Sequence, residues 1–328
     1  MVTIDTIRKP IAAELVEFDS FVRTQFSAEG DLLSEMLEYV LSSRGKGIRP
    51  IIAMLSAGAS APEGKIGKRT FLAAMLVEMI HVASLIHDDV IDEADIRRGR
   101  ASVNARWQSR NAVLAGDYIL ARNMDLGLSS GQFDIVSHVI KSIALLCEGE
   151  ILQGDHARRM DTTRADYLDI IYKKTASLIA ISASAGALSA RASWDKVSKL
   201  RRFGEAVGMA FQIGDDILDY TASSSSTGKP ENGDLRECKI TLPLIEVLEH
   251  SDEARRRELL DALAACGEDP AKVDFVRQSV ESEGGIERAR EVMKAYLQRA
   301  LSMLSDFEPS PYRDALTALC TYVAERKK

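Results

Sequence analysis

Apolar side chains return every third or fourth position through stretches too long for a strand. Phe71, Met75, Met79, Val82 and Ile86 do so in one stretch; Ile135, Val139, Ile143 and Leu146 do so in another. That period puts them on one stripe of an α-helix, and no stretch of the chain alternates at the period of two that a half-buried strand requires. Eight prolines in 328 residues, about half the usual frequency, leave long uninterrupted segments rich in Ala, Leu, Ile, Met and Glu. Breaks fall at Ala61 to Gly64, Arg97 to Arg100, Ser129 to Gly131, Asp161 to Thr163 and Gly267 to Pro270. The expected fold is all-α, with about a dozen helices.

The run from Thr221 to Asp234, crowded with Ser, Gly, Asn and Pro, is expected to be a long loop. Helical patterns of similar composition flank it without a compositional shift, so residues 1–328 are read as one domain. The longest uncharged run, Thr175 to Ala190, is too short to span a bilayer with ease, and its Ser and Ala content predicts a buried, closely packed helix rather than a transmembrane segment. Forty-two Lys and Arg against 49 Asp and Glu give a net charge of −7, which removes any chain-wide reason to bind nucleic acid or an anionic membrane. Four cysteines lie far apart without metal or disulfide spacing, and no apolar run follows the charged N-terminus, so a cytoplasmic protein with reduced thiols is expected.

One short pattern occurs twice, as Asp88-Asp89-Val90-Ile91-Asp92 and as Asp215-Asp216-Ile217-Leu218-Asp219, each at the end of an apolar helical stretch. Residues four apart on a helix are offset by only about 40°, so Asp88 and Asp92 share a face, as do Asp215 and Asp219. Carboxylates this close repel one another until a cation neutralises them. Oxygen donors without nearby Cys favour Mg²⁺, which keeps waters and completes its shell with substrate phosphates. An isolated Asp-rich helix end is as often a solvated cap; two copies of one spacing weigh against that. The remaining charge of a diphosphate calls for Lys and Arg. Arg97, Arg98 and Arg100 follow the first cluster, Lys229 and Lys239 bracket the loop after the second, and Lys46 and Arg49 sit in a glycine-bearing turn just before a helix. His81 lies seven residues before Asp88, at nearly the same angle.

In order, Gly45-Lys46-Gly47-Ile48-Arg49-Pro50, Ile80-His81 through Asp88-Asp89, Asp92, Arg97-Arg98-Gly99, Glu148-Gly149-Glu150 to Gln153, Lys174-Thr175, Phe211-Gln212 to Asp219 and Asp234-Leu235-Arg236 to Pro243 resemble the trans-polyprenyl diphosphate synthase, or polyprenyl synthetase, family, in a medium-to-long-chain type such as the octaprenyl synthases. The resemblance implies a Mg²⁺-dependent transferase that condenses isopentenyl diphosphate with an allylic diphosphate. It implies a homodimer whose helices surround a deep central cavity, the two Asp clusters facing each other across its mouth. By that resemblance Asp88, Asp92 and Asp215 ligate the metal, with Asp89, Asp216 and Asp219 acting behind them. Arg97 contacts the allylic diphosphate, and Lys46, Arg49, His81 and Arg98 hold that of isopentenyl diphosphate. Lys174, Lys229 and Lys239 complete a cationic wall, and Thr175 and Gln212 present oxygen dipoles to developing positive charge. Three positions depart from the family pattern: Arg44 and Cys238 stand where it usually has Gly, and Gly47 where it usually has Arg.

The product tail is expected to run beside the helix that carries the first cluster. Ser84, Ala83, Ile80 and Val77 lie four, five, eight and eleven residues before Asp88, with no aromatic plug near the mouth. One helical turn rises 5.4 Å, roughly one isoprene unit, which suggests a product of about six to ten units. The alternatives are a short-chain farnesyl or geranylgeranyl diphosphate synthase and a noncatalytic subunit that tunes product length. A terpene cyclase is disfavoured by the second Asp cluster and by Lys46, Arg49 and His81.

Overall fold

A computed structural model describes residues 2–43, 45–61, 66–221 and 232–326. The chain opens with α1 (Ile4–Arg8), a 3-10 turn (Lys9–Ile11), α2 (Ala12–Gln25), α3 (Asp31–Ser42), α4 (Ile48–Ser60) and α5 (Lys68–Ile91). A two-stranded hairpin, β1 (Ile96–Arg97) and β2 (Arg100–Ala101), leads into α6 (Val103–Ser129), α7 (Phe133–Val139), α8 (Lys141–Arg159) and α9 (Arg164–Ile171). A π-helical turn (Tyr172–Ala176) then feeds α10 (Ser177–Ser189) and α11 (Trp194–Thr221). The rest is α12 (Gly233–Arg236), α13 (Leu242–His250), α14 (Glu253–Ala264), α15 (Pro270–Ser282), α16 (Gly285–Leu304) and α17 (Pro311–Glu325). The all-α expectation holds. The hairpin was not expected: its strands are too short to show alternation, and it exists because Arg98 and Gly99 both take left-handed backbone (φ +54° and +74°), the geometry of a tight two-residue turn.

The interior is one continuous apolar cluster with members from Ile7 to Val323. At its centre α10 packs on α4, α5 and α11. The close packing expected of the Ser- and Ala-rich run is seen at Gly186, where a Cβ would stand 2.0 Å from the Ala53 carbonyl oxygen of α4. Its buried serines do not compete with the core, because Ser177, Ser182 and Ser184 each donate at 2.8 Å to the carbonyl four residues back. The breaks have mechanisms. Thr163 and Asp166 form a reciprocal capping box at the start of α9, and Asp269 caps α15 ahead of Pro270. Helix α5 is long and apolar enough to cross a membrane by length and composition, although 78% of its apolar window is buried against the other helices. Glu78 and His81 interrupt its apolar run.

Candidate active site

The C-terminal end of α5 presents the first Asp cluster. Asp88 and Asp89 are its last-turn residues, and Asp92 caps the helix with its N–H 2.8 Å from the Asp88 carbonyl. Asp89 is 3% exposed and takes Arg97 of β1 on one oxygen, at 2.7 Å from Nε and 2.5 Å from Nη2. The pairing orients Arg97 toward the cluster, where it also favours ionisation of Asp88. Burial and then the Glu150 carboxylate, with Asp92 adding to it, push the Asp88 carboxyl up to about 6 against the opposing charges of Lys174 and Arg97.

Lys174 and Thr175 both lie on the π-helical turn, a local widening often found at functional sites. Lys174 Nζ is 2.6 Å from Glu150 Oε2 and 2.6 Å from Gln153 Oε1 of α8. Gly149 lets α8 approach this closely, since a Cβ there would lie 2.7 Å from the Lys174 backbone nitrogen.

A second group is basic. Arg98, held at the hairpin turn, donates from Nη1 to the Ser43 carbonyl at 2.7 Å and lays its guanidinium where a side chain on Gly45 would be, 2.5 Å from the ideal Cβ position. Arg49 is a first-turn residue of α4 rather than part of a flexible loop. Burial draws its guanidinium down to about 10, with Arg98 acting the same way and Glu78 opposing. Its buried Nε has no hydrogen-bond partner among the described residues, which suits an anion acceptor. His81 is held well below the ordinary imidazole value by burial and by Arg49, Arg98 and Arg97. Lys46 donates at 3.0 Å to the Tyr322 hydroxyl of α17.

The last turns of α11 carry the second cluster. Asp216, 4% exposed, accepts from the Tyr167 hydroxyl at 2.6 Å and from Gln212 Nε2 at 2.8 Å. Burial and the Asp234 carboxylate raise its pKa while those two bonds oppose the rise. Thr175 donates to Gln212 Oε1 at 2.8 Å, so the predicted pair forms a chain ending on Asp216 and α9. Asp219 accepts the backbone N–H groups of Gly233 and Asp234, both at 3.2 Å. Asp215 is ion-paired with Arg326, whose guanidinium lies 4.3 Å from the centre of the Phe211 ring.

Lys239 lies among carboxylates from separate segments of the chain. Burial works against its ammonium, but the ion pair with Glu237 and the carboxylates of Asp234 and Asp92 hold its pKa above the ordinary lysine value. One cation therefore lies in the field of Asp92, from the first cluster, and of Asp234, which raises Asp216 in the second. Among the described residues no three of His, Cys, Asp and Glu converge tightly enough to hold a metal by themselves. Lys229 lies outside the described residues. Val77, Ile80 and Ala83 are buried along α5, and Ser84 turns its hydroxyl back onto the His81 carbonyl at 2.9 Å.

Glu78, Tyr167 and Arg326 also act on the site and lie outside the motifs. Glu78 had a signal: it is the sole acidic residue of α5 before Asp88, three positions from His81. Nothing local marks Tyr167, which reaches Asp216 from another helix.

Residues 30–281 match the family model described as polyprenyl synthetase. The chain belongs to the polyprenyl synthetase family. It is a prenyltransferase, and its relatives span a range of product lengths. A short chain isoprenyl diphosphate synthase of Methanothermobacter thermautotrophicus is 35% identical over 294 residues, 88% of this chain and 89% of that one. The octaprenyl diphosphate synthase of Escherichia coli is 30% identical over 325 residues, 99% of both chains. Among solved structures, the polyprenyl synthase from Caulobacter crescentus complexed with calcium and isoprenyl diphosphate superposes with a TM-score of 0.90 at 28% identity, covering 99% of this chain and 98% of that one.

Proposed function

We propose that this prenyltransferase condenses isopentenyl diphosphate with an allylic diphosphate such as farnesyl diphosphate, in a Mg²⁺-dependent reaction, to give an all-trans polyprenyl diphosphate of about six to ten isoprene units. The observation that carries the reading is the charge layout of the α5 end. A carboxyl pushed up to about 6 by burial and by Glu150 and Asp92 is surrounded by Lys174 and Arg97, with Lys239 in the field of Asp92. Such a carboxylate group fits a hard divalent cation, which relieves the repulsion. The relative crystallised with calcium and isoprenyl diphosphate supports the same choice.

In this reading Asp88, Asp92 and Asp215 hold the metal. When bound, it neutralises the diphosphate leaving group and so favours carbon–oxygen cleavage. Asp89 and Asp216 act from behind, Asp89 by fixing Arg97 and Asp216 by fixing Gln212. Asp219 anchors the Gly233–Asp234 backbone. Arg97, Lys174, Lys239 and, from outside the described residues, Lys229 face the allylic diphosphate. Lys46, Arg49, His81 and Arg98 receive that of isopentenyl diphosphate, with the buried Arg49 Nε as a ready donor. The lone pairs of Thr175 and Gln212 stabilise the allylic cation while the isopentenyl double bond attacks it. Loss of a proton to the departing diphosphate then leaves an allylic product five carbons longer.

Val77, Ile80, Ala83 and Ser84 line the path of the tail. Phe71, its ring tilted against those of Phe18 and Phe21 at 6.1 Å between centroids, is the first aromatic side chain met down α5, about 25 Å below Asp88. That depth accommodates roughly five units along the helix, short of the proposed range, so a longer tail must pass the Phe71 ring or leave this face of α5. We read residues 1–328 as one catalytic domain acting as a cytoplasmic homodimer, a reading supported by four free thiols and by exposed apolar side chains at Leu114 and Ile151.

The test is to incubate the purified protein with Mg²⁺, labelled isopentenyl diphosphate and farnesyl diphosphate and to size the dephosphorylated products. Incorporation into chains of thirty carbons or so and beyond is expected, abolished by a chelator. Products that stop at fifteen or twenty carbons establish the short-chain alternative, and no incorporation by the protein alone favours a noncatalytic subunit. Ala83→Phe should shorten the product; an unchanged length distribution would remove the tail from this face of α5.

A further inference from the structure

Cys238 adopts left-handed backbone (φ +55°), a conformation that favours glycine and strains any side chain. It closes α12, its N–H bonded to the Leu235 carbonyl at 3.1 Å, immediately before Lys239. Its thiol is directed at the last turn of α14, with Sγ 3.6 Å from the Leu263 carbonyl oxygen. That same carbonyl receives the backbone N–H of Cys266 at 3.0 Å, and Cys266 Sγ rests 3.4 Å from the adjacent Ala262 carbonyl. The two sulfurs thus sit over neighbouring carbonyls of one helical turn. The backbones meet there as well, since a Cβ on Gly267 would stand 3.3 Å from the Arg236 carbonyl oxygen.

We propose that Cys238 and Cys266 form a redox-sensitive pair, which a low-molecular-weight disulfide such as glutathione disulfide converts to an intramolecular disulfide that draws Lys239 away from the mouth of the site. Cys238 is partly exposed and reacts first: its thiolate attacks glutathione disulfide, giving a mixed disulfide and one glutathione thiol. Cys266 is buried, and burial together with Cys238 pushes its thiol up to about 11, so it acts second. Its sulfur displaces the second glutathione from Cys238, and the Sγ–Sγ bond forms. The two protein thiols give up two electrons and two protons, which appear in two glutathione thiols. A disulfide needs its sulfurs about 2.0 Å apart, which pulls Cys238 onto α14. Lys239 is the next residue, and the other end of the same segment is fixed through Gly233 and Asp234 to Asp219. The strain is therefore delivered to the Lys239 end.

The formation of the cross-link is independent of the proposed reaction; its effect on substrate affinity rests on that reaction. The test treats the full chain, carrying Cys147→Ser to remove the exposed thiol, with glutathione disulfide. Alkylation and peptide mass spectrometry under non-reducing conditions then map the thiols. The expected result is a Cys238–Cys266 cross-linked peptide with Cys320 still free, and a KM for the allylic diphosphate raised about tenfold and restored by dithiothreitol. Cys238→Gly, which suits the left-handed backbone, should fold normally, form no cross-link and ignore the oxidant. A stable mixed disulfide on Cys238 without a bond to Cys266 overturns the pair. A complete cross-link with unchanged KM overturns its coupling to Lys239. A reduced protein that makes no prenyl product counts against the proposed reaction and leaves the cross-link result standing.

Discussion

The two Asp-Asp-x-x-Asp clusters share a spacing and differ in what answers them. In each, the middle residue is the most buried and is held by a neighbour: Asp89 by Arg97, Asp216 by Tyr167 and Gln212. The leading residues diverge. Asp88 faces Glu150 and Asp92, with Lys174 and Arg97 only partly compensating, whereas Asp215 has a guanidinium directly upon it from Arg326. The third residues diverge too, Asp92 capping its helix and lying in the field of Lys239 while Asp219 accepts two backbone N–H groups. The spacing fixes only which carboxylates share a helix face. Whether a cluster is left with excess negative charge or is neutralised from within is decided by residues far away in the chain.

If the excess charge on the first cluster serves catalysis, removing it should separate activity from stability. Asp88→Asn is expected to lower incorporation of labelled isopentenyl diphosphate by about a thousandfold or more, the scale of a lost charge-stabilising group. In the metal-free protein at neutral pH the same change should raise stability. The Asp88 carboxyl, raised from 3.8 to about 6, is ionised there at a cost that the amide avoids. With allowance for its partial exposure the gain is about 1 to 2 kcal/mol, read from denaturant or thermal unfolding. A variant that loses stability and activity together would show that Asp88 is a structural residue like its neighbour.

The second cluster should respond in the opposite way. Tyr167→Phe removes a 2.6 Å hydrogen bond from a carboxyl that is 4% exposed. It should cost about 1 to 3 kcal/mol in unfolding free energy, since the orphaned acceptor has no water to turn to. Activity should fall less than for Asp88→Asn, because Gln212 still holds Asp216. An unchanged melting temperature would argue that the cluster's internal satisfaction is unimportant.

The basic group around His81 gives a pH test. His81 is held well below its ordinary value of 6.5, so the folded protein keeps it neutral while the unfolded chain protonates it below that pH. The unfolded state then binds the extra proton, and stability is lost as pH falls below about 6.5, by roughly 1 kcal/mol per unit. His81→Gln should flatten that part of the stability profile in unfolding measurements at pH 5 to 8. The same slope in both proteins would mean that burial and the charges of Arg49, Arg98 and Arg97 do not keep this imidazole neutral in the folded protein.

Much of this was legible in the sequence because it is local. Helix period, the break around Asp161 to Thr163, and the angular match of Asp88 with Asp92 depend only on neighbours along the chain. The hairpin escaped notice since two-residue strands have no period, and the π-helical turn at Lys174 and Thr175 is invisible in a pattern of apolar positions. Arg49 reads as part of a cationic loop until burial against α5 distinguishes it from Lys46, which turns instead to Tyr322. Glu78 was readable in principle, as an acid in an apolar helix. Tyr167 and Arg326 were not, because their partners Asp216 and Asp215 lie 49 and 111 residues away.

Arg326 allows the finest test of the difference between the clusters. Its guanidinium sits on Asp215, stacked on Phe211, with the arginine side chain 18% and the aspartate side chain 33% exposed. A pair this accessible contributes about 0.5 to 1 kcal/mol, so it holds Asp215 without locking it. A divalent ion that uses Asp215 must displace the guanidinium, and that competition weakens its apparent affinity. Arg326→Ala should therefore tighten Mn²⁺ or Mg²⁺ binding by about two- to fivefold in calorimetric titration of the otherwise empty protein. Asp88→Asn should weaken the same binding, because it removes a ligand rather than a competitor. If Arg326→Ala leaves the affinity unchanged, Asp215 does not meet the metal, and the likeness between the clusters stops at their spacing.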